Sequence, residues 1–162
     1  MHARDIATPL TIVSRSTPAL DAIRLIAERD LVGLVVAETD GHPSSVVSSV
    51  DVVRYLLPGY LLDDLSLTNT VGDVGLEDLR LGIKHRTIGD LVNDAEITVR
   101  SVLVVPDVAG PVEIAARMVD ARTQVALVEV ADATEPVFVT LPGLLDAIVA
   151  HWNSNGSDGA TA

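Results

Sequence analysis

The sequence predicts an α/β (α+β) protein made of two βαββα repeats that pack on each other and share a core. Three observations predict it: an ordered internal repeat, Val-rich apolar runs of strand length, and two amphipathic stretches each opened by a proline. Thr17-Pro18-Ala19-Leu20-Asp21-Ala22 lines up with Gly110-Pro111-Val112-Glu113-Ile114-Ala115. Without a gap, Val32-Gly33-Leu34-Val35-Val36 then falls on Val125-Ala126-Leu127-Val128-Glu129. After a one-residue deletion, Ser45-Val46-Val47-Ser48 falls on Val137-Phe138-Val139-Thr140, and Val52-Val53 on Leu144-Leu145.

Each half reads as the same series. A short strand comes first, at 11–13 and again at 101–105. A proline then opens a helix, where its missing N–H costs nothing. Asp21 and Glu113 fall in the first turn, where the helix dipole favours an acid. Leu20, Ile23 and Ala27 mark the apolar face of the first helix, and Ile114, Met118 and Ala121 that of the second. An apolar strand follows, at 33–37 and 125–130. Turn residues come next, Thr39-Asp40-Gly41-His42-Pro43 and Asp132-Ala133-Thr134-Glu135-Pro136. A second strand at 45–48 and 137–140 leads into a second helix at 52–57 and 143–151. The division expected is a first repeat over 1–60, a linker over 61–83 with a short helix around 76–81, a second repeat over 84–150, and a disordered tail over 151–162. Halves of this size bury little alone, so they are expected to pack face to face.

Composition narrows the function. The chain has 162 residues, 48% of them hydrophobic, and a formal net charge of -12. Nucleic-acid binding needs several Lys or Arg neutralising phosphates, so no nucleic-acid partner is expected. The charge also opposes phosphorylated small molecules at long range. No apolar run approaches the length of a membrane span, and residues 1–5 do not read as a signal peptide. Cysteine is absent, which fits a cytoplasmic protein and excludes thiolate metal sites. His2, His42, His85 and His151 are scattered without ligand spacing, so no metal is expected. No nucleophile elbow, P-loop or dinucleotide fingerprint occurs, and the chain does not read as an enzyme.

The ordered set of residues resembles the cystathionine-β-synthase (CBS) domain, present as a tandem pair. The resemblance rests on Ala3-Arg4-Asp5-Ile6 and its echo Ile88-Gly89-Asp90-Leu91, on Thr17-Pro18-Ala19-Leu20-Asp21-Ala22, and on Val32-Gly33-Leu34-Val35-Val36. Thr39-Asp40-Gly41 and Ser48-Ser49-Val50-Asp51-Val52-Val53 complete it, and Leu57-Pro58-Gly59-Tyr60-Leu61 resembles stand-alone pairs from actinobacteria. It implies two units related by a pseudo-two-fold axis, with clefts between them that take AMP, ADP, ATP or S-adenosylmethionine. It also implies a regulatory homodimer that acts in trans on a partner protein the sequence does not name, with no bound cofactor.

The family's ligand motif, a Ser or Thr three residues before an acid at a strand-to-helix turn, falls on Ser48 and Asp51. A carboxylate fixed at a helix N-terminus can accept both hydroxyls of a ribose diol, a charge-assisted pairing of roughly 1.5–3 kcal/mol. By analogy Ile12, Val13, Val35 and Val36 lie near the adenine. The same spacing is also a helix N-cap, and both roles can belong to one residue. Ser45 stands where the family usually has Gly. In the second repeat the matching residues are Thr140 and Gly143, which leaves that half without a carboxylate. Arg122, Arg54 and the cluster Lys84-His85-Arg86 are the candidate phosphate partners. The competing reading is a ligand-free dimerisation and interaction module. Its contact surfaces would be the helix faces at 52–57 and 144–152, with Trp152 as an apolar anchor or packed on its own helix end.

Overall fold

The computed structural model describes residues 1–131 and 133–156. Asp132 of the second turn and residues 157–162 of the tail lie outside the described residues. In chain order the elements are α1 (Ala3–Ile6), β1 (Thr8–Pro9), β2 (Ile12–Ser14), α2 (Ala19–Arg29), β3 (Gly33–Ala37), β4 (Pro43–Ser48) and α3 (Ser49–Leu56). There follow α4 (Gly59–Asp63), a 3₁₀ turn at Leu65–Leu67, α5 (Thr68–Ile83) and α6 (Ile88–Val92). The chain closes with β5 (Val99–Ser101), β6 (Leu103–Pro106), α7 (Pro111–Ala121), β7 (Val125–Glu129), β8 (Val137–Thr140) and α8 (Leu141–Gly156).

Two compact units result, one of residues 11–101 and one of residues 1–10 with 102–162. The first holds the sheet β2-β3-β4-β5 and the second the sheet β1-β8-β7-β6. In each, a parallel pair (β2 with β3, β6 with β7) is joined by a helix, as parallel strands require. Each unit has its own buried cluster. Leu34, Val36, Val47 and Ile88 lie in one, and Val105, Ile114, Val139 and Leu144 in the other.

The repeat is more regular than the sequence alignment makes it. Pro18 corresponds to Gly110 as N-cap, Gly33 to Val125 as first strand residue, and Ser48 to Thr140, all at one separation of 92 residues (110 less 18, 125 less 33, 140 less 48). The strand registers agree: Val13 pairs with Val36 as Val105 pairs with Val128. No deletion is needed. Aligning the two prolines shifts the helix and central strand by one, because Pro18 is an N-cap whereas Pro111 is the first helical residue. The buried face of α2 shifts with it. Ala19 and Ala22 are buried and Ile23 and Ile26 pack beside them, whereas Ala27 is exposed. Both helices end on a left-handed residue, Asp30 (φ 51°) and Arg122 (φ 49°).

Three further segments differ from expectation. The strand expected at 101–105 is two strands in two sheets. β5 pairs with β4 through Val46–Arg100, and the equivalent β1 pairs with β8 through Thr8–Phe138. Each sheet thus takes its edge strand from the other repeat's leading segment, so sequence repeats and compact units do not coincide. The stretch 61–83 is largely helical, with α5 kinked where Gly72 takes φ 55°. Helix α8 runs on to Gly156 and takes in residues 151–156, which composition assigns to the tail. Near its end the Ser154 hydroxyl donates to the His151 carbonyl (2.9 Å).

Candidate ligand site at the strand-to-helix turn

The candidate site starts with a close approach of two strands. A Cβ on Gly33 would stand 2.9 Å from the Val47 carbonyl oxygen, so only glycine lets β4 lie this near β3 at its end. The chain then turns from β4 into α3. The Ser49 N–H donates to the Val32 carbonyl (3.1 Å), and the Ser49 hydroxyl donates to the Leu31 carbonyl (2.6 Å). These bonds tie the first residue of α3 to the segment leading into β3.

Ser48 and Asp51 sit on this fixed turn. The Asp51 N–H donates to Ser48 Oγ (3.1 Å), the N-cap bond, and the Ser48 hydroxyl donates to Asp51 Oδ2 (2.6 Å). Both residues are half-buried. Asp51 Oδ1 accepts no hydrogen bond among the described residues, so one carboxylate oxygen remains for an incoming donor. Capping and presentation of an acceptor are therefore done by the same pair.

The equivalent turn in the other unit is capped but carries no acid. The Gly143 N–H donates to Thr140 Oγ1 (3.2 Å), and the Leu141 N–H donates to the Gln124 carbonyl (2.8 Å). Arg122 lies on the same stretch, two residues before Gln124, exposed and without an ion pair among the described residues.

The apolar residues assigned to the site are neighbours in one sheet, Ile12 beside Val35 and Val13 beside Val36. Val35 and Val36 are fully buried. Ile12 and Val13 also line a cavity with Ser14, Arg15 and Glu38 at the far end of β3 from Ser48, which pairs with Gly33 at its beginning. Among the basic candidates, Arg54 pairs with Glu96 (3.6 Å), and the Arg86 guanidinium lies 5.1 Å from the centroid of the Tyr55 ring. Sequence reasoning singled out neither Gly33 nor Ser49, because both act through residues brought near only by folding. The Gly before a Val-rich run was the one signal available. Among the described residues no group of three or more His, Asp or Glu could hold a metal, and no helix is long and apolar enough to cross a membrane.

A family model for the CBS domain matches residues 3–58. The fold is also that of a CBS domain-containing protein from Kribbella flavida, with TM-score 0.71 and 27% identity over 91% of this chain and 99% of that one. Residues 3–58 thus match a CBS domain, and the fold is that of CBS-domain proteins. The CBS-pair protein CBSX2 from Arabidopsis thaliana shares the fold at TM-score 0.66 and 22% identity, over 94% of this chain and 96% of its own. A structure of CBSX2 in complex with AMP matches at TM-score 0.59 and 24% identity, over 92% and 96%. A search of curated proteins gives no match. The exchanged edge strands place the matched CBS residues 3–58 in both units, with 3–10 in one and 11–58 in the other.

Proposed function

We propose that this chain is a regulatory module that binds an adenosine-containing ligand through Ser48 and Asp51 and signals to a partner in trans. The observation that carries the reading is the Asp51 carboxylate, held at the start of α3 by Ser48 with one oxygen unpartnered. That oxygen suits a ribose hydroxyl, and the Ser48 oxygen a second donor. Adenine would rest near Ile12 and Val13, which line a cavity, and not on Val35 and Val36, which are fully buried. The AMP complex of a structural neighbour supports the ligand class. One site per chain follows, because Gly143 replaces the second acid.

Thermal unfolding with AMP, ADP, ATP, S-adenosylmethionine and NADH tests the reading. A ligand of the native state at a hundredfold excess over Kd stabilises it by about 2.7 kcal/mol. A rise in Tm with one adenosine ligand is the expected result. No rise with any of them up to millimolar concentration would remove the nucleotide reading.

The second reading, a ligand-free interaction module, is favoured by exposed apolar faces. Val50 and Val53 stand out on α3, and Leu145, Val149 and Trp152 form one stripe on α8. Trp152 is 66% exposed, so it is not packed on its own helix end. A homodimer through these faces is compatible with either reading.

A further inference from the structure

A second cavity, of about 420 Å³, lies wholly within the unit of residues 11–101, between the end of α3, α4, α5 and the turn at 94–97. That volume is within the roughly 300–1,000 Å³ of small-molecule sites. Neither Ser48 nor Asp51 lines it, nor do Ile12, Val13, Val35 and Val36, whereas Arg54 and Arg86, expected from sequence as phosphate partners, do.

Three features suit it to a ligand. Part of its wall is apolar, with Leu57, Leu61, Leu79 and Ile83 among the lining residues. Gly75 and Gly82 of α5 also line it, and a Cβ on Gly82 would meet nothing within 4 Å. Each helical glycine costs about 1 kcal/mol relative to alanine, yet here it leaves space open. Lastly, the lining residue Tyr55 is more than nine-tenths buried and its hydroxyl has no hydrogen-bond partner among the described residues.

The charges decide the ligand class. Arg54 and Glu96 neutralise each other, and Asp94 Oδ1 accepts from the Glu96 N–H (2.9 Å). Arg86 lies over the Tyr55 ring and forms no ion pair among the described residues. The lining thus offers one cation outside any ion pair, one phenol and an apolar patch, beside the carboxylates of Asp78 and Asp94. Asp78 and Asp94 on the same lining oppose any multiply charged anion. We propose that this cavity binds an amphiphilic organic monoanion, with its carboxylate at Arg86 and its apolar body along α5.

Calorimetric titration of the full chain with octanoate, beside octylammonium of the same chain length, tests the proposal. Octanoate is expected to bind saturably, one per chain, and octylammonium not at all. Gly82→Leu starts its side chain where a Cβ meets nothing within 4 Å and is expected to abolish binding. Arg86→Gln keeps the space and is expected to weaken binding about tenfold or more, the loss of a charge-assisted hydrogen bond. No octanoate binding at millimolar concentration, equal binding of octylammonium, or binding unchanged in Gly82→Leu would overturn the proposal. An adenosine ligand that fails to bind bears on Ser48 and Asp51 and leaves this result separate.

Discussion

At the scale of single residues, the site depends on one missing side chain. Gly33→Ala puts a methyl group 2.9 Å from a backbone oxygen that cannot rotate away. The strands must part, and overpacking of this kind costs about 1–3 kcal/mol. Urea unfolding is expected to show that loss, with a similar slope. Tyr55 makes the opposite case. Its hydroxyl is buried and unpartnered, so Tyr55→Phe is expected to raise the stability of the free chain by about 1 kcal/mol in the same assay. The Ser48–Asp51 pair was legible in the sequence because a cap is local: three residues of spacing suffice to bring the groups together. The roles of Gly33 and Tyr55 were not. One depends on the distance between two strands, the other on the lack of a hydrogen-bond partner for a buried phenol, and neither is written in a local pattern.

At the scale of elements, helices and strands were read from periodicity, while their partners were not. The central strand at Gly33–Ala37 and the strand at Val137–Thr140 stand where the apolar runs place them. The edge strands do not stay with their own repeat, since β1 and β5 are too short to carry a pattern that names a partner. The prolines misled for a physical reason, because proline suits both the N-cap and the first turn. Short α6 shows how little local chemistry is needed to start a helix. Thr87 and Asp90 form a reciprocal capping box, and the Ile88 N–H donates to the Thr17 carbonyl (2.9 Å). The Thr87 N–H first, then the Thr87 hydroxyl, hold the Asp90 carboxyl below the usual aspartate range, with a smaller contribution from Arg86. A carboxyl lowered by folding stabilises the native state above its unfolded value, and the contribution is lost as pH falls through the folded value. Asp90→Ala is therefore expected to unfold at a lower temperature than the parent at neutral pH. The gap should close as pH drops through and below the usual aspartate range, as Tm measured against pH will show.

At the scale of the whole molecule, a chain with net charge -12 carries both a candidate binding turn and exposed apolar helix faces. Leu145, Val149 and Trp152 form an exposed apolar stripe on α8, the face on which the proposed dimer contact rests. Trp152→Ser is expected to shift a dimer toward monomer in sedimentation velocity, and an unchanged distribution would remove α8 from the contact. Asp51→Ala isolates the carboxylate proposed to hold the ligand. The cap bond runs from the residue-51 backbone N–H to Ser48 Oγ, so the variant keeps its helix start and loses only the carboxylate. The most direct measurement is calorimetric titration of the chain and of Asp51→Ala with AMP. The account predicts one site per chain in the parent and its loss in the variant. Binding of equal strength in both would contradict it.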